Sequence, residues 1–200
     1  MHKTNTIFKS KEFIQFIRMA FLLTLICYLI FRVTDSLGFF IEEIKCGAEQ
    51  VVKKDSTERL VSSGGYLFDN INGRTNEKSF EGSWSIKLTP ENGFGMAIKL
   101  DIPPDKEEME ATVWRFIDKV SADTSKYAFI VASIGNTFWK GSCVGEETKN
   151  GWEKLHIRFT VPKGNYHEPL SFYCWNNTKN IVYFDNMTIK RKNYWKFFKQ

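Results

Sequence analysis

Large aromatic residues stand beside cations and amides at several places in this chain, a pairing suited to recognition more than to bond-breaking. Trp139 lies in Gly135-Asn136-Thr137-Phe138-Trp139-Lys140-Gly141, a turn-rich segment where a large ring is hard to bury. Trp175 and Tyr173 fall on one face of an alternating run, opposite Phe172 and Cys174. His156 and Arg158 share the polar face of another run, and Arg115 sits on a third. If these runs are neighbours in one sheet, the six side chains line a common surface. Flat aromatic faces with charged groups beside them suit a sugar ring, whose apolar C–H faces stack while its hydroxyls are hydrogen-bonded. The plainer reading is that Trp114, Trp139, Trp152 and Trp175 fill the core or its edge, and the sequence leaves both open.

Catalytic patterns are scarce. His2, His156 and His167 are isolated from other His or Cys at metal-ligand spacing. Glu107, Glu108 and Glu110 follow Pro103-Pro104 and, like Glu146 and Glu147, read as solvated charges in turns. No phosphate-cradling glycine loop and no nucleophile elbow is found, so an enzyme is not expected. Of the four cysteines, Cys143 and Cys174 would pair in an oxidising compartment, or remain two thiols if Cys174 points inward. Asn176-Asn177-Thr178 and Asn186-Met187-Thr188 match the glycosylation acceptor pattern, a triplet that chance produces readily.

The elements that must carry these residues are strands. Residues 83–88 and 96–102 alternate apolar and polar, and 110–117, 127–134, 152–161, 170–175 and 181–189 continue the series. The clearest case sets Leu155, Ile157, Phe159 and Val161 against Lys154, His156, Arg158 and Thr160, ahead of a stop at Pro162-Lys163-Gly164-Asn165. Short strands at even spacing, with an aromatic content of 16%, predict a β-sandwich or barrel.

Four segments carry a resemblance. They are Glu81-Gly82-Ser83-Trp84-Ser85-Ile86-Lys87-Leu88, Ala111-Thr112-Val113-Trp114-Arg115-Phe116, Gly151-Trp152-Glu153-Lys154-Leu155 leading to Phe159-Thr160-Val161-Pro162, and Val182-Tyr183-Phe184-Asp185-Asn186-Met187-Thr188-Ile189. In order and spacing they resemble the carbohydrate-binding-module and galactose-binding-like jelly rolls over roughly 66–190. The resemblance implies an all-β jelly-roll sandwich over 64–190, a glycan or polysaccharide partner, and a structural calcium ion. Asp69, the carbonyls around Lys78 and Ser79, and Asp185 match the calcium ligands, and Asn186 stands where relatives often place a second acid. The alternative for Asp69 and Asp185 is hydrogen bonding at turns and strand ends.

Two segments flank the predicted domain. Residues 13–33 are almost wholly apolar, broken by Gln15, Arg18, Thr24 and Arg32, and 1–12 precede them with three lysines. This pattern predicts one N-terminal transmembrane helix, with the N-terminus cytoplasmic and the domain on the extracytoplasmic side. A cleaved signal peptide and a buried core helix are the rivals, and no small-x-small cleavage pattern follows the apolar run. Residues 34–63 read as a stalk, either a spacer or an amphipathic helix through Phe39, Phe40, Ile41 and Ile44 on the membrane surface. The tail 191–200, continuing from Lys190, interleaves basic and aromatic residues, which suits either an anionic bilayer or a loose terminus.

The net charge of +5 divides into +4 over 1–33 and +5 over 190–200, which leaves −4 between them. That excludes a polyanion-binding domain surface and makes nucleic acid an unexpected partner. The whole pattern predicts a noncatalytic glycan-binding module of the cell envelope, held at a membrane. The alternative is a protein-interaction or scaffolding subunit that recruits a membrane protein partner.

Overall fold

The computed structural model describes residues 5–36, 41–101, 107–117, 128–164 and 166–192. It forms two units, 1–40 and 41–200.

The first unit holds α1, Asn5–Ser36. Thr24 Oγ1 donates to the carbonyls of Ala20 and Phe21, both at 2.9 Å, which satisfies its hydroxyl along the helix. Among the described residues no helix is long and apolar enough to cross a membrane. This overturns the single-pass anchor expected over 13–33, and the cytoplasmic N-terminus and extracytoplasmic domain argued from that span lose their basis. Charge is the physical reason: between Arg18 and Arg32 the unbroken stretch 19–31 rises about 20 Å at about 1.5 Å per residue. A hydrocarbon core is roughly 30 Å thick.

The second unit is all β. Its strands are β1 Ile41–Cys46, β2 Val51–Lys54, β3 Thr57–Val61, β4 Leu67–Phe68, β5 Arg74–Thr75, β6 Ser85–Leu88 and β7 Phe94–Leu100. They continue as β8 Glu108–Ile117, β9 Ala128–Ile134, β10 Phe138–Ser142, β11 Gly145–Lys149, β12 Trp152–Thr160, β13 Leu170–Asn176 and β14 Val182–Lys192. A seven-stranded sheet runs β11-β12-β8-β14-β6-β5, with β1 also pairing β14. A four-stranded sheet runs β10-β9-β13-β7, and β2-β3-β4 form a small third sheet. From β6 to β9, and again from β12 to β14, successive strands alternate between the two large sheets.

One apolar cluster joins them into a sandwich. The seven-stranded sheet contributes Ile86, Val113, Leu155, Ile157, Phe184 and Ile189, and the four-stranded sheet Ile98, Ile130, Ile134, Leu170 and Phe172. On β9, β12 and β13 these are every-second-residue positions, so the period-2 pattern selects the buried face, whereas on β14 the bulge between Asp185 and Thr188 shifts the phase between Phe184 and Ile189. At about 1.5–3 kcal/mol per large apolar side chain, their burial is the main force holding the sheets together. A second cluster, Trp114, Trp152 and Tyr183 with Phe80 and Phe116, covers part of the outer face of the larger sheet.

Of the stalk expected over 34–63, residues 41–63 are instead part of the domain, and 34–36 close α1. Ile41–Cys46 lies antiparallel to β14 in register from Ile41↔Lys192 to Cys46↔Met187. Ile44 and Cys46 are buried in the core, so the amphipathic helix expected through Ile41 and Ile44 is a strand there. Lys190 and Arg191, expected to open a basic tail, belong to β14, where Arg191 Nε sits 3.1 Å from Glu107 and 3.5 Å from Glu42. The remainder of that tail, 193–200, and Phe39 and Phe40 lie outside the described residues.

Side-chain hydrogen bonds close the end of β13. Asn176 Nδ2 donates to the carbonyls of Leu88 at 3.3 Å and Asn180 at 2.9 Å. Its Oδ1 accepts from the Thr178 backbone N–H at 2.9 Å and hydroxyl at 2.8 Å. The Asn176-Asn177-Thr178 triplet is thus an internal brace, its amide nitrogen already engaged. Replacing Asn176 by Ala leaves buried partners unpaired and is expected to cost about 2–3 kcal/mol, read as a lower urea midpoint at constant slope. A midpoint equal to that of the parent protein would show that the brace does not matter.

Cys46 and Cys174 are also interior. Burial pushes the Cys46 thiol up to about 12 and holds the Cys174 thiol well above its ordinary range, and all four cysteines are free thiols. Cys174 faces the core and Cys143 is in the turn after β10, so of the two alternatives left open for them the structure has two thiols.

Candidate functional site

The outer face of the four-stranded sheet is built as three rows across its strands. In the first row, Phe94 on β7 pairs with Trp175 on β13, which pairs with Phe129 on β9. In the second, Tyr173 pairs with Val131 and Val131 with Gly141 on β10. In the third, Lys99, Ser171, Ser133 and Trp139 follow one another.

The aromatic rings make one strip. Phe94 and Trp175 are stacked, 6.3 Å between centroids and 7° between planes. Trp175 and Phe129 stack at 5.5 Å and 27°, and Phe129 meets Trp139 edge to face at 6.4 Å. Tyr173 flanks Phe94 at 5.9 Å. Such pairings hold the rings in place at about 0.5–1.5 kcal/mol each beyond their burial, so the strip is preformed. Phe94 is 50% exposed and Trp139 53%, while Trp175, Tyr173 and Phe129 are half-buried.

Two glycines permit this arrangement. A Cβ on Gly141 would lie 2.5 Å from Cη2 of Trp139, so the indole rests on a bare strand backbone. A Cβ on Gly95 would lie 2.8 and 2.9 Å from Leu88 and Ile86, and Gly95 lies at the register shift that turns Phe94 to the outer face.

The six residues expected to share a surface are divided by the fold. Trp139, Tyr173 and Trp175 come together here. His156 and Arg158 lie on β12, on the outer face of the opposite sheet, because alternation fixes a residue's face but not the sheet to which its strand belongs. There His156 Nδ1 is 2.9 Å from Glu146 and its Nε2 3.4 Å from Glu110, and Arg158 pairs with Glu108. Arg115 points inward and is 2% exposed, with Nη1 donating to the Ala128 carbonyl at 2.7 Å and Nη2 engaged by Glu153. Phe94 and Phe129 were not expected. Their signals are the Gly93-Phe94-Gly95 setting and the position of Phe129 opposite Ala128 and Ile130 in the alternation.

Asp69 and Asp185, expected as calcium ligands, lie apart in function. Asp69 is paired with Arg59 at 2.7 Å and bridges Ala97 on β7 through its backbone. Asp185 is fully buried at a bulge of β14, and its Oδ2 accepts from the N–H groups of Phe80 at 3.0 Å and Glu81 at 3.3 Å. Its Oδ1 accepts from the Asn186 N–H at 2.7 Å, and Ala48 adds a further backbone donor. Lys78 O already accepts the Ser85 hydroxyl at 2.6 Å. Calcium requires six to eight converging oxygens, whereas N–H donors converge on Asp185. The donor set does not fit the ion, and among the described residues no group of three or more His, Cys, Asp or Glu is placed to hold a metal.

No protein-family model and no curated protein matches the chain. Among solved structures, it is similar to a family 16 carbohydrate-binding module at 17% identity, covering 58% of this chain and 82% of that one with a TM-score of 0.44. It is similar to the xylan-binding family 22 module from Paenibacillus barcinonensis at 16% identity, with 75% and 95% covered and a TM-score of 0.44. A family 6 module of a marine laminarinase from Zobellia galactanivorans gives 12% identity, coverage of 74% and 98%, and a TM-score of 0.41.

Proposed function

We propose that the β-sandwich over 41–192 is a noncatalytic carbohydrate-binding module whose ligand lies along the aromatic strip of the four-stranded sheet. The observation that carries this reading is the preformed run Phe94–Trp175–Phe129–Trp139, exposed at both ends. Rings arranged this way remove the C–H faces of successive sugar units from water, while Tyr173, Ser133, Ser171 and Lys99 supply polar groups alongside. The three rows carry no Asp, Glu or His, so the pair of carboxylates that glycoside hydrolysis uses is not present among them.

The test is titration with neutral oligosaccharides such as xylohexaose, cellohexaose and laminarihexaose, read by calorimetry. Trp139→Ala is expected to weaken binding by at least about tenfold, or about 1.4 kcal/mol, with a thermal midpoint lowered by only a few degrees because the ring is half in water and packs on Phe129 alone among the rings. Affinity unaltered by both Trp139→Ala and Trp175→Ala would remove the strip from the reading, and a bound protein partner in place of any glycan would favour an interaction subunit.

A further inference from the structure

The opposite face of the sandwich carries a groove that the aromatic strip does not explain. It has a volume of about 470 Å³ and lies over β1, β14 and β8 on the outer side of the seven-stranded sheet. Its floor is low because short side chains fall side by side: Thr112 on β8 is in register with Thr188 on β14. Longer residues wall it, with Lys45 and Glu43 on β1, Lys190 beside them on β14, and Glu110 and Lys154 across β8 and β12. One end is closed by Trp114 and Phe80, stacked at 4.0 Å and 12°.

We infer that this groove is a second carbohydrate site, one that takes a neutral sugar unit. The inference does not rest on the aromatic strip. Three ammonium groups face three carboxylates, those of Glu43, Glu81 and Glu110, so the groove has no net charge to select an anion or a cation. Each ammonium is also held loosely by a neighbour: Lys45 to Glu43 at 3.0 Å, Lys190 to Glu43 at 3.6 Å, Lys154 to Glu147 at 3.4 Å. Such pairs, half in water, contribute about 0–1 kcal/mol each. They can therefore be rearranged around a ligand at little cost.

What the groove offers in excess is mixed hydrogen-bonding capacity in a small space. The ammonium groups donate, the carboxylates accept, and the two threonine hydroxyls and the Asn186 amide do both. A molecule that matches this must carry several hydroxyls and no net charge. The Phe80–Trp114 wall adds an apolar surface for its C–H face. A volume of about 470 Å³ falls within the roughly 300–1,000 Å³ usual for small-ligand sites. With ligand surfaces on both outer faces, one chain can bridge two glycan segments.

The experiment is amide chemical-shift mapping on the full ¹⁵N-labelled chain with cellotriose, xylotriose and laminaritriose as probes. Shifts are expected at Thr112, Thr188 and Lys190, with a saturation curve distinct from that of Phe129 and Trp175. Thr188→Tyr, an outward position where an aromatic suits a strand, is expected to weaken the groove by at least about tenfold and leave the strip unaltered. Thr112→Tyr should act alike, and each variant's amide spectrum reports its fold. Shifts at Phe129 and Trp175 alone would overturn the second site and leave the first reading in place. Shifts in the groove alone would do the reverse, and shifts at neither face would overturn both. Groove shifts that persist at full affinity in both variants, or larger ones from trigalacturonate, would overturn the assignment to a neutral sugar.

Discussion

Replacing Gly73 by Ala is expected to destabilise the domain by about 3 kcal/mol or more, a large part of the 5–15 kcal/mol that a domain of this kind possesses. A Cβ at this position would lie 1.9 Å from the carbonyl oxygen of Lys87, 3.0 Å from its carbonyl carbon and 3.4 Å from its nitrogen. All three are backbone atoms of β6, a strand held by β14 through Lys87↔Tyr183 and Ile86↔Phe184, so no side chain can swing aside. Relief requires the 71–75 turn to withdraw. That breaks the hydrogen bond from Lys87 N–H to Gly73 O at 2.8 Å, and it drags Arg74 from the Ala48 carbonyl at 2.7 Å and from its seat 3.8 Å above Trp84. Gly65 provides the control. Its φ of +75° disfavours Ala, yet nothing lies within 4 Å of the new methyl group, so about 1 kcal/mol is expected. Urea midpoints of the two variants check the contrast, and a Gly73→Ala protein within 1 kcal/mol of its parent would sink it.

Half of this architecture is legible without coordinates because its physical cause is local. β12 is recognised from Leu155, Ile157 and Phe159 against His156 and Arg158, since burial on one face of a strand imposes a period of two. The N-terminal strands escape because their cause is distant. Ile41 and Ile44 are three apart, a helical spacing, and only pairing with 187–192 makes that segment β. Lys190 and Arg191 look like the start of a cationic tail until the same pairing brings Glu42 and Glu43 to them, and that of β8 with β14 brings Glu107. One strand, β11, did have a local signal: Asn150 and Gly151 at φ 52° and 80° form the two-residue turn between Lys149 and Trp152.

The candidate site divides along the same line. Alternation puts Tyr173 and Trp175 on one face and away from Cys174, but it does not say which strand lies beside them. His156 and Arg158 were therefore grouped with the wrong sheet. Phe129 joins the strip through the pairing of β9 with β13, and Trp139 through a hairpin whose Gly141 lets the indole lie flat. A ligand surface assembled from four strands is a property of register, and register between distant strands is the part a single sequence encodes most weakly.

Lowering the pH from 7 to 4 is expected to stabilise the parent protein relative to Asp185→Asn, by up to about 3 kcal/mol. Burial pushes the Asp185 carboxyl up to about 6 from its ordinary 3.8, against the N–H groups of Glu81, Phe80, Asn186 and Ala48, which favour the ionised form. With the folded pKa above the unfolded one, the folded chain binds the extra proton between these values. The group's contribution is therefore fully present below about 4 and is lost as pH rises through about 6. Glu43 and Glu77 behave oppositely, since cationic neighbours hold both carboxyls below the usual range, and they lose stability as pH falls. The difference between parent and Asp185→Asn removes their contribution, which both proteins share. Asp185→Ala tests the other half of the argument. It strips the acceptor from backbone donors at Phe80, Glu81 and Asn186 and is expected to cost about 3–5 kcal/mol at pH 7. Urea titrations of the three proteins at pH 4, 5, 6 and 7 decide the matter. A parent protein whose stability relative to Asp185→Asn stays constant, or increases, as pH rises would mean that the N–H groups outweigh burial and hold the carboxylate charged throughout.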